Sequence, residues 1–164
     1  MVDIDRSSLL KFILEAHKNT YAASPEIKSK YKCKTPIMEG HRDYDFVDGE
    51  WRYHDSYAGI HWAPGREVVF FEGQPVWCMS YQGRTVDGLT DEFIEEMFGF
   101  LKEALRDIDE EMSFRGPKAF SDKAKGFEYV FIMKGDYEYF TGRESITHDG
   151  REMFFQDVMG GLIK

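Results

Sequence analysis

Apolar residues recur along this chain at two distinct periods. Over 6–18, Leu9, Leu10, Phe12, Ile13, Leu14 and Ala16 fall on one side of a helix, with Ser7 or Ser8 placed to cap its start. Over 91–109 the helical spacing is cleaner. Ile94, Met97, Phe98, Leu101, Leu105 and Ile108 recur at i, i+3 and i+4 behind a capping Thr90. Residues 19–43, interrupted by Pro25, Pro36 and Gly40, read as irregular. Much of the remainder alternates with period two, the period of a strand with one buried face. Asp48-Gly49 separates 44–47 from 50–57, and Glu72-Gly73 separates 67–71 from 74–81. Lys134-Gly135-Asp136 separates 127–133 from 137–141, and Asp149-Gly150 separates 144–148 from 151–158. Asp-Gly between alternating runs is a strong hairpin signal, because a two-residue turn needs positive φ. The stretch 112–126, which holds Arg115-Gly116-Pro117, reads as a loop.

The order helix, two hairpins, helix, two hairpins predicts a single α+β domain over 1–164. Its curved, mostly antiparallel sheet would have about eight strands, covered by two main helices. The same order suggests an internal repeat, 6–83 against 91–162. A shift of 77 positions puts Arg66-Glu67 on Arg143-Glu144, Glu72-Gly73 on Asp149-Gly150 and Gly83 on Gly160. Other offsets put Gly49, Trp51 and Tyr53 on Gly135, Tyr137 and Tyr139, and Leu10, Phe12, Ile13, Glu15 and Ala16 on Phe98, Phe100, Leu101, Glu103 and Ala104. Turn residues recur in any hairpin protein, so composition accounts for part of this.

The net charge of −9 argues against direct nucleic-acid binding, which needs clustered Lys and Arg, while leaving room for a local basic patch. No apolar run approaches the 18 or so residues of a membrane span. MVDIDRSSLL lacks the basic and apolar regions of a signal peptide, so a cytoplasmic location is expected. At 164 residues the chain needs no disulfide or metal to fold. Cys33 and Cys78 form no CxxC motif and are expected to be reduced; Cys78, between Trp77 and Met79, reads as a buried, inert thiol.

Asp43, Asp45, Asp48 and Gly49 miss the calcium-loop spacing by one position. His41, His54 and His61 lack the short spacings common in zinc sites, His17 and His148 stand alone, and no metal or cofactor is expected. GxSxG, GxxxxGK[ST] and GxGxxG are absent, so no catalytic residue is assigned. Lys28, Lys30, Lys32 and Lys34 would share one side of an extended segment, either as an anion-binding patch or as an edge that discourages aggregation. In 50–57, alternation puts Trp51, Tyr53, Asp55 and Tyr57 on one face and Arg52, His54 and Ser56 on the other. If the aromatics point inward, Asp55 goes with them and needs a partner, for which Arg115 is the candidate. The candidate ligand-binding residues are therefore Tyr53, Asp55, Tyr57, Trp77, Tyr81 and Arg115.

TYAASPEIK, DYDFVDGEWRYHDSYAG, EVVFFEGQPVWCMSYQGR, FRGPKAF and GDYEYFTGRESITHDGREMFFQDVMGGLI together resemble a prokaryotic family of domains of unknown function. The family occurs alone or as the C-terminal part of lambda-repressor-like helix-turn-helix regulators. GQPVWCMSYQGR at 73–84 and the RGP at 115–117 are the most specific parts. The resemblance implies a sensing or effector module, here without a DNA-binding head. Three readings follow: a small-molecule-sensing or protein-interaction domain; a small enzyme with Asp55 as acid or base and Arg115 or His54 as its charge partner; and a structural dimerisation module. The expected partners are a small molecule, a second copy or a regulator, with neither DNA nor membrane contacted directly.

Overall fold

A computed structural model describes residues 4–108 and 114–164. Helix α1 (Arg6–Asn19) forms where the periodicity predicts, but Asp5 caps it in place of Ser7 or Ser8. Its carboxylate accepts from the Ser8 backbone N–H and from Ser8 Oγ, both at 2.8 Å. An anion at a helix N-terminus also meets the positive end of the macrodipole. Helix α2 (Pro25–Tyr31) occupies part of the segment read as irregular. Pro25 opens this helix, since a first-turn residue has no hydrogen bond for proline to lose. Lys28 and Lys30 therefore lie on a helix, and the four lysines do not line one extended face.

The strands are β1 (Arg42–Asp48), β2 (Trp51–Tyr57), β3 (Gly65–Phe71) and β4 (Gln74–Thr85). Helix α3 (Asp91–Arg106) follows, with Thr90 accepting from the Phe93 N–H as predicted; position 109 lies outside the described residues. Strands β5 (Ala119–Asp122), β6 (Phe127–Asp136), β7 (Tyr139–His148) and β8 (Arg151–Leu162) complete one open, wholly antiparallel sheet. Its order is β1-β2-β3-β4-β8-β7-β6-β5. The α+β single-domain fold with eight strands is thus as expected, with three helices rather than two main ones.

The second half corrects the predicted strand boundaries. Residues 137–141 and 144–148 do not form two strands; β7 runs through both. The β6–β7 turn lies at Tyr137-Glu138, not at Lys134-Gly135-Asp136. Gly135 has positive φ (91°) within β6, opposite Phe140, where a Cβ would stand 2.1 Å from the Tyr139 carbonyl oxygen. Its glycine serves a close backbone approach rather than the turn itself. The eighth strand is β5, within the stretch read as a loop, of which 112 and 113 lie outside the described residues.

The two halves meet at β4 and β8 with four strands each in mirrored sheet order, preceded by α1 and α2 in the first half and by α3 in the second. Register shifts fall at Val69/Phe70 and at Ile146/Thr147. Positive φ occurs at Glu72 (47°) and Gly73 (76°), and again at Asp149 (49°) and Gly150 (76°). All of these positions lie 77 apart. The offset joining Gly49 to Gly135 does not hold in space, because those residues flank different turns within the two halves.

Helices α1 and α3 cover one face of the sheet. Between them Tyr53, Trp77, Phe100, Phe127, Tyr129 and Phe140 are fully buried. Cys78 is only half-buried, because it alternates away from Trp77 and Met79 onto the other face. Residues 32 and 33 follow the β1 edge, with the Cys33 N–H donating to the Asp43 carbonyl at 2.8 Å. Among the described residues no helix is long and apolar enough to cross a membrane.

Candidate functional site

The pleat of β2 sends Tyr53, Asp55 and Tyr57 to the helix-covered face, as alternation predicts, and the β2–β3 register sets Asp55 directly opposite Glu67. Two carboxylates thus stand side by side under the helices, both almost fully buried. Desolvation would drive each toward its neutral form, and each charge disfavours the other. Their partners separate them. The His17 imidazole lies 2.8 Å from Glu67, and the Arg115 guanidinium lies 3.3 Å from its other oxygen. Although burial alone would raise the Glu67 pKa, these two partners hold it below the ordinary value. Asp55 instead accepts a 2.7 Å hydrogen bond from the Tyr81 hydroxyl. Burial, with the Glu67 charge adding to it, pushes Asp55 up to about 8, so it is mostly protonated at neutral pH.

Arg115 anchors the site. It enters from the segment after α3, and Glu144 on β7 receives its Nε at 3.2 Å and its Nη2 at 2.9 Å. Glu144 also accepts from Tyr129 at 2.9 Å and from Gln156 at 2.8 Å. Buried ions persist where paired and hydrogen-bonded in this way. Gly116 lets this segment approach: a Cβ there would lie 2.1 Å from the Tyr129 hydroxyl. Gly65 does the same for the acid, since its Cβ would stand 2.3 Å from the Tyr81 ring and hydroxyl.

Above this network lies a cavity of about 180 Å³. Asp55, Tyr57, Tyr81 and Arg115 line it, so four of the six sequence candidates are brought together. Tyr53 and Trp77 are not. Tyr53 packs behind the wall against His17, and the Trp77 indole stacks on Phe140 and donates to the Tyr137 carbonyl, inside the core. His54 faces the opposite side of the sheet, where its imidazole meets Asp43 and Asp45, so it is no charge partner for Asp55.

The sequence reading missed Tyr21, Arg42, Glu67, Lys102 and Gln156, all of which line the cavity, and named Lys28, also in the lining, only as one of four lysines along an extended segment. For Glu67 a signal existed in its match to Glu144 under the 77-residue shift; the others come from elements that only the fold juxtaposes. Lys28 lies over the rings of Tyr21 and Tyr44, 5.0 and 4.7 Å from their centroids. Burial, reinforced by the Lys102 charge, lowers its pKa to about 8. Lys28, Arg42 and Lys102 make no ion pair with any described carboxylate within 4.0 Å. A wider concavity of about 670 Å³ lies where Tyr81, Ile132, Arg143 and Met159 meet, but its one ion pair, Arg143–Asp157, is solvent-exposed.

A family described as a domain of unknown function (DUF5680) matches residues 55–163, from Asp55 almost to the end of the chain. No curated protein and no solved structure matches.

Proposed function

The chain belongs to the DUF5680 family, and we propose that it is a small-molecule-binding domain whose cavity takes a compact organic anion. The observation that carries this reading is the set Lys28, Arg42 and Lys102, three cations with no partner among the described carboxylates, around one cavity of an acidic protein. Charges left unpaired in a cleft focus the field on a ligand of opposite sign. Tyr57, Phe98 and Phe154 offer ring faces, and the Asp55 carboxyl, protonated near neutrality, offers a hydrogen bond from the floor. A cavity of about 150 Å³ accepts benzene, so this one suits a single substituted ring carrying a carboxylate or phosphate.

Thermal-shift and calorimetric titrations test this, with benzoate and 4-hydroxybenzoate set against benzamide and benzylamine. The acids should stabilise the protein in proportion to ln(1 + [L]/Kd). Lys102→Ala should weaken them at least tenfold. Equal stabilisation by the neutral and cationic analogues, or by none of the four, would sink the reading.

The domain is best understood as the sensing or effector part of a regulator, with the two halves as copies of one unit. Glu67 and Glu144 then have equivalent places, and the cavity forms where the copies meet. Covariation of positions 67 and 144 across family members would test the duplication. A second reading, an enzyme with Asp55 as general acid, is favoured by its carboxyl being protonated beside the cavity. Turnover of a bound ligand that Asp55→Asn abolishes without loss of binding would select it.

A further inference from the structure

A second cluster lies on the opposite face of the sheet. Asp45 on β1 and His54 on β2 are register partners, with His54 Nδ1 3.1 Å from Asp45 Oδ1. Cys33, held against the β1 edge, donates its thiol proton to Asp45 Oδ2 at 3.3 Å. The sulfur, a carboxylate oxygen and an imidazole nitrogen all lie within 4.8 Å of one another. Around a tetrahedral zinc ion with bonds of about 2.0–2.3 Å, neighbouring ligand atoms stand about 3.4–3.6 Å apart. The Cys33 sulfur and Asp45 Oδ2, at 3.3 Å, stand within a few tenths of an ångström of that spacing, with the imidazole beside the other oxygen of the same carboxylate.

The surroundings match as well. His54 is 8% exposed, and its Nε2 lies 3.4 Å from Asp43 Oδ2 with no aligned hydrogen bond of its own. Asp43, fully buried, is fixed by Ser56 Oγ and by the Ile37 N–H, both at 2.8 Å. A carboxylate behind the far nitrogen is what orients a metal-ligating imidazole. Arg52 donates to Asp45 Oδ1 at 2.8 Å, which leaves Oδ2, the oxygen nearest the thiol, for an ion. A histidine between two aspartates needs no cysteine to be a satisfied ion pair, so the sulfur is the feature that such a pair leaves unexplained.

We propose that Cys33, Asp45 and His54 form a binding site for a divalent borderline metal of the zinc class, with Asp43 orienting the imidazole and a fourth position open to water. Binding replaces the Cys33 thiol proton with a metal–sulfur bond and releases that proton. Cys33 and Asp45 are only half-buried, which gives the ion an entry path.

Cobalt(II) titration of the full chain tests the site. We expect a thiolate charge-transfer band and tetrahedral d–d bands saturating at one equivalent, displaced by zinc. Cys33→Ser should remove the charge-transfer band, and Cys78→Ser should leave it. Asp43→Asn should keep the band with about 10–100-fold weaker binding, the usual cost of losing an outer-shell partner. Wild-type protein gives a readout independent of any variant's folding: zinc should slow alkylation of Cys33 and not of Cys78. Absent bands, bands that survive Cys33→Ser in a folded variant, or Cys33 alkylation unchanged by zinc would each overturn the proposal.

Discussion

Glu67 on β3 and Glu144 on β7 hold a single guanidinium between them, that of Arg115. They stand 77 positions apart, come from opposite halves of the sheet, and are both fully or almost fully buried. The ion cluster therefore joins the two halves beneath the cavity, and it is costly only if one member is lost.

Arg115→Met should leave both carboxylates without their shared cation. A loss of about 3–5 kcal/mol is expected, the usual penalty for breaking a buried pair. In the variant the Glu67 carboxyl, held down by Arg115 in the wild type, moves up, so the folded state binds a proton that the unfolded state has released. The deficit should then shrink as pH falls from 8 toward 5, and urea denaturation at the two values measures it. A deficit independent of pH would contradict the assignment.

Asp55 makes the opposite contribution in the native protein. Its folded pKa, raised to about 8 from the ordinary 3.8, means that between those values the folded state carries the extra proton. Stability should fall as pH rises through this window, with a slope from this group approaching about 1.4 kcal/mol per pH unit. Asp55→Asn removes that slope while keeping an acceptor for Tyr81. The variant should melt higher than wild type at pH 8, with the difference fading toward pH 4. A variant less stable than wild type at pH 8 would show that Asp55 acts as a charged structural partner.

Gly65→Ala should force the Tyr81 ring off Asp55, at about 1–3 kcal/mol, the range for overpacking. Because both changes break the same hydrogen bond, Gly65→Ala and Tyr81→Phe should be clearly non-additive in a double-mutant cycle. Strict additivity would mean that the glycine serves something else.

Trp77→Ala should cost about 3–5 kcal/mol, as large aromatic truncations in cores do, and should leave ligand affinity in folded protein unchanged. The indole touches Phe114 and Phe140 and does not line the cavity. Altered affinity without lost stability would place it in the site after all.

How much of the site was legible depends on distance along the chain. Alternation in β2 carried Asp55 and Tyr57 to the same face from local information alone, because the pleat fixes side-chain direction every second residue. Burial then required a partner for Asp55, and the partner is Tyr81, one strand beyond Glu67. Nothing in the neighbourhood of Asp55 names that partner. The cysteine, aspartate and histidine of the opposite face were equally hidden, since 33, 45 and 54 follow no helical or loop spacing. They converge because an edge segment doubles back along β1 and the β1–β2 register pairs positions 45 and 54.

Local pattern was enough for the fold class, the covered face of β2, the first-half hairpins and the long amphipathic helix. These follow from periodicity and turn chemistry, which act over a few residues. It left the second half misdivided, because a glycine needed for close backbone approach looks the same as one needed for a turn. Tertiary structure alone decided that β4 lies against β8, and that pairing brings Glu67 and Glu144 to one arginine. It also decided which carboxylate stays charged. Asp55 and Glu67 are neighbouring acids in the same burial, and His17 and Arg115 both lie on Glu67. Ionisation in a desolvated site is set by what the fold brings within a few ångströms, and no local pattern encodes that.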